Sequence, residues 1–315
     1  FFVVRRIARD HHAHIIDAHF GYPTGYAAVL LGRWLGLPVM LTLRGKEERQ
    51  ARTSVASALK QAITRADQLI TVSAALQAFA IEHGVDPARV QVIGNGVDLT
   101  KFTAVPRLDA RRQLGLPDDA EVLVSVGTLV ERKGFHRVIE CLPELLALHP
   151  MLHFVIVGGA GPEGDMSAKL QSLVCALRLN DRVHFLGPIP NDRLKVPLSA
   201  ADVFVLATSY EGWANVFLEA MACGLPVVTT DVGGNAQVVN DPSLGRIVPF
   251  GDQGSLQKAI SEALTTPWDR LLIRAYAESN SWERRIPLLI DAYHQLLSRG
   301  RNEPARACAE IGNAG

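Results

Sequence analysis

Two carboxylates, Glu211 and Glu219, are separated by seven residues in a segment that reads SYEGWANVFLEAMACGLPVV over residues 209–228. Glu211 falls in a predicted turn, and Glu219 lies about one turn into a helix predicted over residues 216–223. Carboxylates accept hydrogen bonds from vicinal hydroxyls, while free N–H groups at a helix start hold phosphate. One loop therefore offers partners for a polyol and for an anion. A sugar nucleotide contains both. The bare spacing is weak evidence, because helix starts commonly carry acids.

The elements that must position these carboxylates are two apolar strands, predicted over residues 202–207 and 226–230. The first strand leads into the turn and the second follows the helix. This order places the acids at the carboxyl end of a parallel strand, where open α/β sheets bind ligands.

Apolar strands alternate with amphipathic helices along the whole chain, which predicts an α/β protein with parallel sheets. A polar, proline-containing link from residue 95 to about residue 117 interrupts the alternation, and we expect the domain boundary there. Further strands are predicted over residues 14–18, 39–43, 68–72, 90–93, 121–126, 153–157, 182–185 and 246–248. Helices are predicted over residues 25–35, 55–65, 74–83, 135–148, 165–177, 192–200, 253–265 and 282–297.

Composition narrows the class of protein. The chain has 315 residues, enough for two domains, and its formal net charge is +0, which does not suggest a nucleic acid partner. Its four cysteines show no paired or metal-type spacing, so we expect a reduced, cytoplasmic setting. The most apolar stretch, residues 26–43, contains Arg33, Gly36 and Pro38 and is not expected to span a membrane.

Four basic residues, Arg49, Arg52, Lys60 and Arg65, are a candidate contact with an anionic membrane surface. A solvated helix face explains the same charges, and we favour that interpretation.

The segment EGWANVFLEAMACGLPVV, residues 211–228, resembles the signature of the retaining glycosyltransferases of family 4, which have the GT-B fold. The resemblance extends in order from about residue 16 to residue 297. It implies two Rossmann-like domains with parallel sheets and an enzyme that moves a sugar from a nucleotide-diphosphate sugar to an acceptor hydroxyl with retention. It also implies that neither a metal nor a cofactor takes part; no Asp-x-Asp motif occurs in the chain. The acceptor would be a sugar or a lipid-linked molecule.

The resemblance also divides the chain. Residues 1–98 correspond to an amino-terminal, acceptor-side domain, and residues 99–281 to the nucleotide-sugar-binding domain. Residues 282–298 are expected to form a crossover helix, and residues 299–315 a disordered tail. Family members carry further residues ahead of the segment that starts here, so we expect the first domain to be incomplete.

Three segments match the family's donor-binding positions. The turn from Gly127 and Thr128 to Gly134 resembles the phosphate loop, in which Lys133 matches the diphosphate-binding lysine. The family often has an arginine where this chain has Thr128, and we expect Arg132 to supply that charge. Gly159, in a second glycine-rich turn, would let the backbone approach the nucleotide. The main chain at Phe185 and Leu186 would read the base.

The resemblance gives the two carboxylates separate tasks. Glu219 would accept from the ribose hydroxyls, and Glu211 from hydroxyls of the transferred sugar. Trp213 is equally well explained as a sugar platform or as loop packing. Main-chain N–H groups near the sugar and distal phosphate would come from Gly212, Trp213, Ala214, Asn215 and Val216.

In the first domain, His19 follows a predicted strand and matches the family's histidine near the transferred sugar. Arg44 and Glu47 lie in a second loop that resembles a cleft loop of the family, and we expect them on the acceptor side. Glu47 stands where the family usually has aspartate.

Two other functions stay open. The chain could be another GT-B enzyme, such as a nucleotide-sugar epimerase, although the Glu211–Glu219 segment argues against it. It could also be a truncated protein that binds a nucleotide sugar and transfers nothing. By analogy, polysaccharide or glycolipid synthesis is the expected setting, in the cytoplasm with a peripheral contact at the inner membrane face.

Overall fold

A computed structural model describes residues 2–302 of the chain. These residues form two compact units. The first consists of residues 2–94 together with 285–302, and the second of residues 95–284. Each unit is an α/β unit with its own parallel sheet, so the predicted α/β class is confirmed.

The sheet of the first unit has four parallel strands in sequence order, β1 (Ile16–His19), β2 (Val39–Leu43), β3 (Gln68–Thr71) and β4 (Val90–Val92). The sheet of the second unit has six parallel strands in the order β10-β9-β8-β5-β6-β7. Their bounds are β5 (Glu121–Val126), β6 (Leu152–Val157), β7 (Val183–Gly187), β8 (Val203–Leu206), β9 (Val227–Thr230) and β10 (Gly245–Val248).

The helices connect the strands and cover the sheets, which explains why β6 and β8 are buried along their whole length. In chain order the helices are α1 (Phe2–Asp10), α2 (Tyr26–Leu35), α3 (Glu47–Gln50), α4 (Ala56–Arg65), α5 (Ala74–Glu82), α6 (Arg107–Gln113), α7 (Phe135–Leu148), α8 (Ser167–Ala176), α9 (Lys195–Ala200), α10 (Asn215–Ala222), α11 (Asn235–Val238), α12 (Gln253–Thr265), α13 (Arg270–Ser279) and α14 (Trp282–Asn302).

Several predicted elements have the bounds that the structure shows, among them β2, β5, α7 and α12. Five helices were not predicted, namely α1, α3, α6, α11 and α13. Helix α6 lies inside the predicted polar link. It is anchored through its own residue Arg111, which donates to Asp202 outside the helix at 2.7 Å. Helix α13 begins after Asp269, whose carboxylate accepts from the N–H groups of Leu271 and Leu272.

The last helix is longer than predicted. The prediction ended it at residue 298 and expected disorder over residues 299–315, but α14 continues to Asn302. Arg299 donates to Gln68 at 2.9 Å, and this bond holds the extra turn against the first unit's sheet. Residues 303–315 lie outside the described residues.

In the second unit, the loops that matter for function leave the carboxyl ends of β5 and β8, which are neighbours in the sheet. Parallel strands bring these ends to one edge, so segments far apart in sequence meet there. None of the helices within residues 2–302 has the length and apolar character that a membrane span requires.

Candidate active site

The centre of the site in the second unit is the carboxylate of Glu211, which is only 8% exposed. Its Oε1 accepts from Lys133 Nζ at 2.5 Å and from Arg132 NH1 at 3.0 Å. Thr208 adds a longer bond of 3.4 Å to the same oxygen. Among the described residues these contacts all converge on Oε1, so Oε2 is the oxygen available to a ligand hydroxyl.

The two cations are presented by the turn between β5 and α7. Gly134 closes this turn with a φ of +73°, and a Cβ built there would lie 1.9 Å from the carbonyl oxygen of Ala207. Only glycine allows the cation turn to approach the end of β8 so closely. Arg132 is tied to the same region, because its carbonyl accepts from the N–H of Ser209 at 2.8 Å.

The backbone of Glu211 is held from a third segment, the loop after β9. Gly234 donates its N–H to the carbonyl of Glu211 at 3.0 Å. Gly233 has a φ of +54°, and a Cβ there would lie 1.8 Å from the same carbonyl oxygen. Gly233 and Gly234 were not predicted, although two glycines shortly after a buried strand indicate a close backbone approach.

Arg132 has a second acidic partner that was not predicted. Its Nε donates to Glu163 Oε2 at 3.0 Å, and its NH1 also donates to the carbonyl of Tyr210 at 3.1 Å. Burial alone would lower the pKa of Arg132, but the bond to Glu163 and the attraction of Glu211 and Glu163 outweigh it and raise the pKa. The guanidinium therefore stays charged and bridges two loops.

Glu219 lies on α10 and differs sharply from Glu211. Burial raises the pKa of Glu219 to about 7, and the attraction of Lys133 offsets only part of that effect. This carboxyl group therefore changes its charge near neutral pH. A buried acid poised in this way beside a cation is typical of functional sites.

A cavity of about 280 Å³ lies beside these groups. Lys133, Glu211 and Glu219 line it, as do the start of α10 and the predicted residues Gly127, Trp213, Ala214, Asn215 and Val216. Asn191 and Leu194 also line it and were not predicted. Their position just after β7, at the carboxyl edge of a parallel strand, is the signal that would have found them.

Trp213 is half-buried and packs against the apolar core of the second unit. Among the described residues its indole Nε1 has no hydrogen-bond partner. Asn215, at the start of α10, accepts from Asn95 Nδ2 at 2.8 Å through its side-chain oxygen. The helix start is thereby fixed to the first residues of the second unit.

Five predicted donor residues do not line the cavity: Thr128, Gly159, Phe185, Leu186 and Gly212. Thr128 lies against Gly161 of the second glycine-rich turn, and the N–H of Leu129 donates to the carbonyl of Gly159 at 2.8 Å. The strand carrying Phe185 and Leu186 is at the edge of the sheet. Their contacts with a nucleotide stay predictions.

The first unit contains the other predicted residues. His19 ends β1, and its Nδ1 accepts from Arg44 Nε at 3.0 Å. Burial lowers the pKa of Arg44, although Asp17 and Glu47 counteract it. The two residues predicted from separate loops, His19 and Arg44, are therefore direct partners.

Glu47, which was predicted on the acceptor side, is instead buried inside the first unit. The residue is 0% exposed, and its carboxylate accepts from the main-chain N–H groups of Gly21 at 3.1 Å and Gly45 at 2.7 Å. Both carboxylate oxygens are used to fasten two loops together, because a buried carboxylate must be hydrogen-bonded. Glu47 therefore shapes the loops that carry His19 and Arg44.

A larger cavity, of about 480 Å³, lies in the first unit beside Arg5, Arg9 and Trp34. No carboxylate lines it within the described part of the chain. We assign the chemistry to the smaller cavity because acids and a cation converge there. No three His, Cys, Asp or Glu side chains within residues 2–302 are grouped as a metal site would require.

Comparisons with known proteins agree with this geometry. The family model described as "Glycosyl transferases group 1" matches residues 106–280, and the model described as "Glycosyltransferase Family 4" matches residues 1–101. A D-inositol 3-phosphate glycosyltransferase of Stackebrandtia nassauensis is 30% identical over 94% of this chain and 71% of its own length. A protein of the same name from Geodermatophilus obscurus is 34% identical over 74% of this chain. The chain spans only 54% of that relative.

Solved structures show the same fold. Sucrose-phosphate synthase from Thermosynechococcus elongatus matches with a TM-score of 0.79 and 28% identity, over 94% of this chain and 77% of that one. Anabaena Alr3699/HepE, solved in complex with UDP, matches with a TM-score of 0.80 and 23% identity, over 94% and 81%. These matches confirm the predicted GT-B fold.

Proposed function

This chain belongs to the glycosyl transferases group 1 family, and from that premise we propose that it moves a sugar from a nucleoside diphosphate sugar to an acceptor hydroxyl with retention. The observation that carries the proposal is the convergence of Lys133 and Arg132 on Glu211, beside a cavity that Glu219 also lines. Cations suit a diphosphate, and carboxylates suit sugar hydroxyls.

Binding of the donor would exchange partners within this cluster. The diphosphate takes Lys133, and Glu211, released from that cation, accepts from hydroxyls of the transferred sugar. Since Lys133 and Glu211 already meet at 2.5 Å, both ends of the donor need only small side-chain movements to be bound. The exchange leaves each of these charged groups with a hydrogen-bonding partner, which avoids the cost of an isolated charge.

Transfer then depends on charge that develops on the leaving diphosphate. Lys133, Arg132 and the N–H groups at the start of α10 would stabilise that charge. Because cations of the protein supply this stabilisation, we propose that no metal or cofactor is needed. Glu211 orients the sugar, Glu219 accepts from the ribose, and His19 contacts the reacting sugar.

The acceptor is proposed from the relatives and from the first unit. Since the named relatives are D-inositol 3-phosphate glycosyltransferases, a phosphorylated polyol is the first acceptor to test, with Arg44 as the cation for its phosphate. Polysaccharide or glycolipid assembly in the cytoplasm, with a peripheral membrane contact, is the proposed setting.

The test begins with calorimetry of UDP, other nucleoside diphosphates and their sugars, followed by assays of sugar transfer. Lys133→Ala should weaken the binding of nucleoside diphosphates by about 10- to 100-fold, as expected for the loss of a charge-assisted hydrogen bond. The matching nucleosides should bind as before. Lys258→Ala is the control, because Lys258 is 79% exposed and pairs only at 3.8 Å with Glu262.

Each outcome separates the alternatives. Release of nucleotide together with a product of retained configuration supports the proposal, and an inverted product contradicts retention. Tight binding of nucleotide sugars without transfer would indicate a protein that only binds them. Interconversion of the bound sugar without transfer would favour an epimerase.

A further inference from the structure

Four side chains of the first unit form one chain of contacts around His19. Tyr293, on α14, donates its hydroxyl to Asp17 Oδ2 at 2.8 Å. The same oxygen lies 3.5 Å from His19 Nε2. On the other side of the ring, Nδ1 accepts from Arg44 Nε at 3.0 Å. Both nitrogens of the imidazole therefore face a specific partner.

The direction of these bonds fixes the form of the imidazole. A guanidinium has donors only, so the Nδ1 that faces Arg44 must offer its lone pair. A neutral ring then carries its proton on Nε2, and this N–H faces the carboxylate of Asp17. At the far end, burial and the bond to Asp17 raise the pKa of Tyr293 to about 12, so its hydroxyl remains a donor. Each of the donors in this series of contacts therefore has one acceptor.

The fold holds this chain of contacts in place. Asp17 and His19 are two residues apart on β1, so their side chains lie on the same face of the strand. On α14, Ala292 and Leu296 are buried with Met40 of β2, which sets the position of Tyr293 between them. The tyrosine is thus a donor with a fixed location, contributed by a segment more than two hundred residues away in sequence.

Tyr293 and His19 share one oxygen. The bond to Tyr293 is the shorter and draws Asp17 Oδ2 toward the phenol hydroxyl, and the imidazole Nε2 lies at the longer distance of 3.5 Å from the same oxygen. A donor held this loosely can turn to a ligand oxygen with little loss, because a contact of that length contributes little.

We infer that Asp17 and Tyr293 are positioning residues for His19, which together with Arg44 fix the orientation of the imidazole and place the proton of its neutral form on Nε2, where it is available to the transferred sugar. The inference rests on the proposed function for the role of His19, but the arrangement itself can be measured without turnover.

The experiment combines nitrogen NMR of the intact protein with kinetics. Protein labelled with ¹⁵N in its histidines is compared at mildly alkaline pH, and the His19 signals are assigned by their loss in His19→Gln. The wild-type ring should show a protonated Nε2 and an unprotonated Nδ1. In Asp17→Asn the Nε2 resonance should move, since the carboxylate that faces it is gone, whereas the tautomer should stay the same because Arg44 still donates to Nδ1.

Tyr293→Phe removes one hydroxyl and should leave the fold intact. Asp17 can then take the imidazole N–H fully, so the Nε2 resonance should move while the tautomer stays the same. Transfer should slow about tenfold in kcat with the donor KM unchanged, the equivalent of one hydrogen bond. The control is Tyr276→Phe, which removes another tyrosine hydroxyl, bonded at 3.4 Å to Gln237 in the second unit.

A wild-type His19 protonated on Nδ1, or a Tyr293→Phe variant whose Nε2 resonance does not move, would overturn the inference. So would an unchanged kcat with a changed KM. If the wild-type protein transfers no sugar, the proposed function fails separately, and the Nε2 resonances of the wild type and the two variants alone decide whether Asp17 and Tyr293 position the ring.

Discussion

Glu211 and Glu47 occupy similar places in the two units. Each follows a parallel strand of its own sheet, each is buried, and each was predicted to face a ligand. Their partners differ. Glu211 is held by the side chains of Lys133 and Arg132, whereas Glu47 is held by the main-chain N–H groups of Gly21 and Gly45.

This difference teaches how to separate a ligand-binding acid from a structural one. A lysine or arginine can swing to a new anion, so a carboxylate paired with them can be released when a ligand arrives. Main-chain amides cannot leave without unfolding their loops. The type of partner, and not burial or position in the fold, therefore distinguishes the two roles.

The largest effect is expected at Glu47. Glu47→Ala removes the carboxylate that accepts from two buried N–H groups and should lower the free energy of unfolding by about 3–5 kcal/mol, since each bond to a charged acceptor contributes about 1.5–3 kcal/mol. Urea denaturation measures this loss. The control is Glu48→Ala, whose carboxylate accepts neither of those bonds. Wild-type stability combined with lost acceptor binding would reverse our assignment of Glu47.

Glu219 extends the comparison, because among the described residues it has neither kind of hydrogen-bond partner. Its pKa in the folded chain is about 7, above the ordinary value of 4.5, so the folded state binds its proton more tightly than the unfolded state. Its contribution to stability is therefore full below about pH 4.5 and is lost as the pH rises through about 7.

The loss should be on the order of 3 kcal/mol, at about 1.36 kcal/mol for each pKa unit. Glu219→Gln cannot ionise, so its free energy of unfolding should fall less across this pH range than that of the wild type. Parallel pH profiles of the two proteins would show that our view of Glu219 is wrong.

At Glu211 the expected effect is on chemistry more than on stability. Glu211→Gln should slow sugar transfer about 100-fold, or about 2.7 kcal/mol, because the orienting carboxylate is lost. The affinity for the nucleoside diphosphate should change little, and the free energy of unfolding should fall less than in Glu47→Ala. Steady-state kinetics and calorimetry give both quantities. Glu131→Gln, an exposed acid of the same cation turn, is the control. Transfer at the wild-type rate in Glu211→Gln would mean that Glu211, like Glu47, is a structural acid.

The smallest effect is expected at Glu163. This acid is about one-third exposed and pairs with Arg132, so it should contribute about 0–1 kcal/mol to stability. Glu163→Gln frees Arg132 for phosphate and should tighten nucleoside diphosphate binding by up to about fivefold. Weaker binding in calorimetry would mean that Glu163 instead holds Arg132 in the orientation that the ligand needs.

The sequence predicted the elements well where burial is continuous. Strands β2 and β5 are apolar runs buried by their own sheets, and the 3.6-residue periodicity of α7 is equally clear. Helix α6 was missed because its residues are mostly charged, and its stability comes from the distant pairing of Arg111 with Asp202. Local patterns carry no information about such a contact.

The candidate site divides in the same way. The sequence indicated Glu211, Glu219 and Lys133 through the resemblance to the glycosyltransferase family, while the local pattern of strands and turns placed them at strand ends. It could not indicate that Glu47 would bind amides 26 and 2 residues away, or that Tyr293 would reach Asp17. Such partners depend on which strands and helices pack side by side.

The sequence by itself therefore determined the strands, the helices with a clear apolar periodicity and which charged groups lie at their ends. The tertiary structure decided which charges meet, which acid is held by side chains and which by main-chain amides, and which partners face the His19 imidazole. The physical reason is that hydrogen bonds and ion pairs act over about 3 Å, so their partners are set only when the parallel sheets bring distant strand ends to one edge.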